Sequence, residues 1–133
     1  PAVREQLRQR LFAERITMKR LVDLRRAEPA RLLELYVEAE LDKEPTVEGA
    51  ARFVEKSPSW VTHAFRKAHR LPFREYVAQR RIERARRHLA MKSIAETAAL
   101  CGFKNRYHFT RVFKRLAGMT PAAFLRTLRA GKG

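Results

Sequence analysis

The sequence predicts an all-α fold: two helix-turn-helix subdomains joined by a long linker helix, with an extra N-terminal helical segment. Three observations predict it. No run alternates apolar and polar residues between turn signals, and neither Asn-Gly nor Asp-Gly occurs, so hairpins and strands have no local support. Helix-spaced apolar residues and helix caps recur along the chain. Part of the chain also repeats itself. Val47, Ala50, Ala51 and Val54 stand at i, i+3, i+4, i+7, and Ile94, Thr97, Ala98 and Cys101 take the same spacing 47 residues later. Val61, Ala64, Phe65 and Ala68 follow the pattern again, matched 48 residues on by Phe109, Val112, Phe113 and Leu116. Two short amphipathic helices with a tight turn between them are expected twice, each with those four positions facing inward.

The elements follow in order. Residues 1–28 read as a helical segment or linker with less regular patterning, set off by Ala27, Glu28 and Pro29. Pro29 opens a helix carrying Leu32, Leu33, Leu35, Tyr36 and Val37. Ser57-Pro58 reads as an N-cap followed by proline at the first helical position, where the missing N–H costs nothing. Residues 73–91 read as the linker helix, with Ala78, Ile82, Ala85 and Leu89 as its narrow apolar stripe. Ser93 and Glu96 have the spacing of a capping box. Gly102 and Gly118 stand where left-handed helix ends are expected, and Asn105 is placed to cap the helix that follows. Thr120-Pro121 starts a last short helix with Phe124 and Leu125. The expected units are 1–28, 29–91 (first subdomain with the linker helix) and 92–133 (second subdomain).

Composition narrows the function. The 133 residues carry 30 basic and 14 acidic side chains, a net charge of +16, which asks for a polyanionic partner. The charge is uneven: 8 basic and 3 acidic residues in 1–27, 2 and 6 in 28–45, and 20 and 5 in 46–133. The anion-facing surface is therefore expected after residue 45, with the acidic stretch turned elsewhere. Cys101 is the only cysteine, which excludes an internal disulfide and a zinc cluster of cysteines. It stands on an apolar stripe and reads as a small buried hydrophobe. The four histidines, His63, His69, His88 and His108, share no ligand spacing with cysteine or acidic residues, so neither metal nor cofactor is expected. A membrane span is not expected from the apolar runs, the longest of which is far too short. An enzyme would need a nucleophile–base set or paired carboxylates, and none is legible. The expected compartment is the cytoplasm, at the nucleoid. The chain begins at Pro1 without a methionine and is expected to be a fragment, with an effector or dimerisation domain upstream.

A pair of short helices with a tight turn is a compact way of placing a helix in the major groove of duplex DNA. With Val61, Ala64, Phe65 and Ala68 inward, the outer face of the first reader helix shows Ser59, Thr62 and His63, with Arg66 and Lys67 beyond them. The second shows Arg106, Tyr107, Thr110 and Arg111, flanked by Lys104, Asn105, Lys114 and Arg115. We assign base reading to Ser59, Thr62, His63, Arg106, Tyr107, Thr110 and Arg111. Phosphate contacts are assigned to Arg66, Lys67, Lys104, Asn105, Lys114 and Arg115. Major grooves on one face of DNA recur about every 34–36 Å, and a linker helix of about 19 residues spans roughly 28 Å. With the width of the units it joins, one polypeptide can address two successive grooves.

Residues 30–126 resemble the DNA-binding domain of the AraC/XylS family of bacterial transcription regulators. The second unit carries the denser match: Ala98 to Phe103, then Tyr107, His108 and Phe109, Arg111 to Lys114, Gly118 to Pro121, and Phe124 to Arg126. The first matches through Ala51, Ser57, Val61, Phe65 and Phe73 to Tyr76, and the linker through Arg81, Ile82, Ala85 and Leu89. Two departures stand out. Gly49 replaces the bulkier helix former usual there, and His63 takes a reader position often held by arginine or another long polar residue. The resemblance implies binding to double-stranded promoter DNA and recruitment of RNA polymerase, commonly as an activator.

Other readings compete residue by residue. Trp60, at the start of a helix, reads as a partly buried staple rather than a DNA contact. Tyr107 divides between phosphate contact and packing. His108, the repeat partner of Trp60, reads as structural. Arg80, Arg84, Arg86 and Arg87 form either a solvated face or a phosphate-contacting one, and Arg81 borders the apolar stripe. A non-specific nucleoid or RNA-binding protein would share the charge but would not need two matched reader faces. A membrane-surface protein would need aromatics on an outer face, and here most fall inward.

Overall fold

The computed structural model describes residues 29–131, so the expected N-terminal segment, residues 1–28, lies outside the described residues. The described residues form seven helices and no strand: α1 (Pro29–Glu40), α2 (Val47–Val54), α3 (Pro58–His69), α4 (Phe73–Leu89), α5 (Ile94–Leu100), α6 (Arg106–Ala117) and α7 (Pro121–Gly131). Two compact units divide the chain between Val77 and Ala78, inside α4.

In the first unit, α1, α2 and α3 close around one core. It contains Leu33, Tyr36 and Val37 of α1, Ala50, Ala51 and Val54 of α2, and Val61 and Phe65 of α3. Phe73, Tyr76 and Val77, from the start of α4, complete it. In the second unit Ile82, Ala85 and Leu89 of α4 pack with Ala98, Cys101 and Phe103, and with Phe109 and Phe113 of α6. Phe124 of α7 meets Phe113 edge-on at 5.6 Å. Each fully buried aromatic or branched side chain contributes about 1.5–3 kcal/mol by leaving water.

The helix starts follow the sequence chemistry. The Thr46, Ser57, Ser93 and Asn105 side chains accept hydrogen bonds from the N–H groups of Gly49, Trp60, Glu96 and His108. Ser93 and Glu96 complete the expected reciprocal box, with Glu96 Oε1 accepting the Ser93 N–H at 3.3 Å. Thr120 Oγ1 likewise accepts the Ala123 N–H at 3.1 Å at the start of α7.

Three expectations need correction. The linker helix ends at Leu89, two residues early, because the Met91 and Lys92 N–H groups both fold back onto the His88 carbonyl at 3.0 and 2.8 Å. Its apolar stripe is also shorter than expected: Ile82, Ala85 and Leu89 are buried in the second core, Ala78 is only half-buried, and the buried Tyr76 and Val77, outside the stripe, serve the first core. Ala68 is exposed rather than inward, and the residue that turns toward the protein in the last turn of α3 is His69. Its ring stacks 4.4 Å from Tyr76, with Phe65 at 5.6 Å. Nε2 lies 3.2 Å from Glu34 Oε1, close enough for an ion pair when the ring is protonated but not aligned as a hydrogen bond. Gly102 and Gly118 are left-handed as expected, but Glu55 and Arg70 hold φ near 60° too. A side chain in that region costs about 1–2 kcal/mol, which the helix-end hydrogen bonds must offset.

Candidate nucleic-acid interface

The two helix-turn-helix turns share one hydrogen-bond scheme. In the first, the Glu55 N–H donates to the Arg52 carbonyl at 3.4 Å and the Lys56 N–H to the Ala51 carbonyl at 3.0 Å. In the second, 47 residues on, the Gly102 N–H donates to the Ala99 carbonyl at 3.2 Å and the Phe103 N–H to the Ala98 carbonyl at 3.0 Å. The pattern is that of a helix closed by a left-handed residue. The N-caps Ser57 and Asn105 stand 48 residues apart, so the second turn is one residue longer and the extra residue is Lys104.

On α3, Ser59, Thr62, His63, Arg66 and Lys67 are all exposed. Val61 and Phe65, the buried residues between them, fix the rotation of the helix so that this face points away from the first core. Thr62 Oγ1 donates to the Pro58 carbonyl at 3.1 Å, so its hydroxyl proton is engaged within the helix while the oxygen can still accept. Trp60 is half-buried against the first core, and the Lys56 ammonium lies 5.7 Å from the centre of its ring.

On α6 the anchors are Phe109 and Phe113, both fully buried. Arg106, Tyr107, Arg111, Lys114 and Arg115 are exposed, whereas Thr110 is half-buried and stands less clear of the core than expected. Tyr107 is 82% exposed, which removes packing as its role. Asn105 caps α6 through Oδ1, which accepts the His108 N–H at 2.8 Å, so only its side-chain nitrogen remains as a donor. Lys104 is exposed beside it. His108 is also exposed, its ring edge-on to Phe103 at 5.5 Å.

The electrostatics follow from the sequence around these faces. Neither α3 nor α6 contains an acidic residue, and none follows Glu96 to the end of the chain. On α4, Arg84 and Arg87 act with Lys92 on His88. Partial burial, and then these three cations, hold its imidazole below the usual histidine range. Burial pushes the Cys101 thiol up to about 11 against the opposing pull of Arg84, Arg81 and Arg87. The guanidinium of Arg81 lies 5.7 Å from the centre of the Phe103 ring, so the residue bordering the apolar stripe packs through its charge. Sequence reasoning did not single out Lys56. The signal was present, because the 47-residue repeat sets this cation against an aromatic, Phe103.

Among the described residues, no group of three or more His, Cys, Asp and Glu side chains is arranged to hold a metal ion. No described helix is long and apolar enough to cross a membrane.

A helix-turn-helix domain family model matches residues 50–127. An uncharacterized HTH-type transcriptional regulator of Pseudoalteromonas carrageenovora is 33% identical over 93 residues, which cover 70% of this chain and 56% of that protein. The bifunctional transcriptional activator/DNA repair enzyme AdaA of Bacillus subtilis is 30% identical over 95 residues, covering 70% of this chain and 45% of AdaA. The chain thus spans about half the length of these relatives, and the likeness to AdaA is confined to its helix-turn-helix region. Among solved structures, an AraC-type DNA-binding regulator from Chromobacterium violaceum superposes with a TM-score of 0.72 at 24% identity, covering 79% of this chain and 95% of that one. The DNA-binding domain of the global transcriptional factor AdpA, solved with a target DNA, gives 0.71 at 24% identity over 78% and 96%.

Proposed function

This chain belongs to the AraC-type helix-turn-helix DNA-binding domains of transcription regulators, and from that premise we propose that it reads promoter DNA through α3 and α6 placed in two successive major grooves. The observation that carries the reading is the pairing of two acid-free helices, each turned by two buried apolar anchors so that a polar, cationic face points outward. Ser59, Thr62 and His63 read bases in one groove. Arg106, Tyr107, Thr110 and Arg111 read them in the other. Arg66, Lys67, Lys104, Asn105, Lys114 and Arg115 grip phosphates on either side. The 17 residues of α4 span about 26 Å. Successive major grooves on one face of DNA recur about every 34–36 Å.

We assign binding rather than catalysis to the chain. Its single cysteine is buried and its thiol is pushed up to about 11, the opposite of an activated nucleophile. Recruitment of RNA polymerase as an activator is the expected outcome at the promoter; the name of AdaA as a transcriptional activator supports it. An effector or dimerisation domain in a longer chain would regulate the binding, and the site of action would be the cytoplasmic nucleoid.

Selection of binding sites from random duplex DNA tests the proposal. It should recover a two-part motif whose halves lie about one helical turn apart. Recovery of a single short motif, or of none, would overturn it.

A further inference from the structure

Residue 56 differs in kind from its repeat partner. In the second unit, Phe103 follows the left-handed residue; its ring is buried, touching Phe109 at 5.1 Å and His108 at 5.5 Å. In the first unit the same place in the turn holds Lys56, whose N–H makes the equivalent bond to the Ala51 carbonyl. A lysine cannot fill a core there, and the residue is exposed, its ammonium lying over the half-buried ring of Trp60 instead. The backbone hydrogen bond fixes the stem of Lys56, and the indole face orients the ammonium. Ser57 caps α3 immediately afterwards, so the charge sits at the mouth of the first reader helix. This is where the phosphates flanking an occupied groove pass a helix-turn-helix unit.

We propose that Lys56, positioned by Trp60, is a phosphate-gripping residue of the first unit, taking in that turn the place that Phe103 gives to core packing in the second. The proposal rests on the duplex-binding reading above and adds one sequence-independent contact to it. The second unit supplies its corresponding cation one residue later, at Lys104, in the position its longer turn provides.

The test is the salt dependence of binding by the whole chain to a selected duplex and to an unrelated one, between 50 and 200 mM salt. Each phosphate contact contributes about 0.9 to the slope of log affinity against log salt. Lys56→Gln should make that slope shallower by about 0.9 on both duplexes, so its affinity falls roughly three- to fourfold less than that of the parent over this range. Lys56→Arg should keep the full slope. Thermal midpoints measured alongside separate gripping from folding. An unchanged slope in Lys56→Gln overturns the proposal, and a lowered midpoint with that unchanged slope shows that Lys56 only staples the turn to Trp60. Failure of the parent chain to bind either duplex would be a different result, overturning the duplex-binding reading itself.

Discussion

The hydroxyl of Tyr36 occupies the space that a β-carbon on residue 49 would need. Gly49 is buried inside α2, and a β-carbon built there meets Tyr36 Oη and Thr46 Oγ1 closer than ordinary contact allows. The Thr46 N–H reaches the Tyr36 hydroxyl at 3.5 Å, and Thr46 Oγ1 accepts the Gly49 N–H at 2.9 Å. Burial raises the Tyr36 pKa, which keeps the hydroxyl neutral in this contact. The space beside residue 49 of α2 is thus filled by a tyrosine tip arriving from α1.

Gly49→Ala should therefore destabilise the chain, although alanine is the better helix former by about 1 kcal/mol. Tyr36 is a buried ring tilted against Phe53 at 5.8 Å, so it cannot swing aside cheaply. Overpacking of this kind costs about 1–3 kcal/mol. Tyr36→Phe should recover part of that loss by removing the atom that clashes. Urea midpoints of the two single variants and the double variant check this, and a Gly49→Ala chain more stable than its parent would refute the contact.

At the start of α5, hydrogen bonds from Ser93 hold the Glu96 carboxyl below the usual glutamate value near 4.5. A group whose folded pKa is depressed contributes stability above its unfolded pKa and loses it as pH falls through the folded value. Ser93→Ala should cost about 1 kcal/mol at neutral pH, the ordinary value of an N-cap. The gap between parent and variant should narrow below the usual glutamate range. Thermal midpoints at pH 7 and pH 3 measure it; a gap that widens in acid would mean the box is not formed.

The repeat makes a pair of positions that look alike in sequence and differ in structure. Ala68 and Leu116 occupy the same register, yet Ala68 is exposed and Leu116 is packed against the second core. Ala68→Gln should change stability by less than about 0.5 kcal/mol, as an open surface site does. Phe113→Ala, at a fully buried position, should cost about 3–5 kcal/mol. Denaturant midpoints distinguish the two. A loss above about 1 kcal/mol in Ala68→Gln would mean that His69 does not replace it.

These contrasts mark what was legible in the sequence. Helix starts were, because Ser57, Ser93 and Asn105 act within three residues of themselves and their chemistry is local. The inward faces were legible where large apolar residues set the period, as at Phe109 and Phe113. They were misjudged at Ala68, where a small side chain carries little burial energy and the stacking of His69 on Tyr76 decides instead. That stacking joins α3 to the start of α4, a tertiary contact that no spacing announces. Glu55 and Arg70 were missed as helix ends because only glycine advertises a left-handed position. Of the reader faces, exposure was anticipated at every position except Thr110. Lys56 was passed over because Trp60 was weighed for packing against DNA contact and not as a platform for a neighbouring cation.

Two helices of one chain, α3 and α6, are proposed to read two separate grooves, and base preference after single replacements distinguishes that arrangement from a single reader. The measurement is the affinity of Arg111→Ala and His63→Ala for every single-base variant of the selected duplex. Arg111→Ala should cost about 1–3 kcal/mol on the best site and relax preference at one base position, since a guanidinium can hold guanine O6 and N7 together. His63→Ala should relax a different position, about one helical turn away. If both variants lose affinity by the same factor on every duplex, or relax positions in the same half of the site, the two-groove account is contradicted.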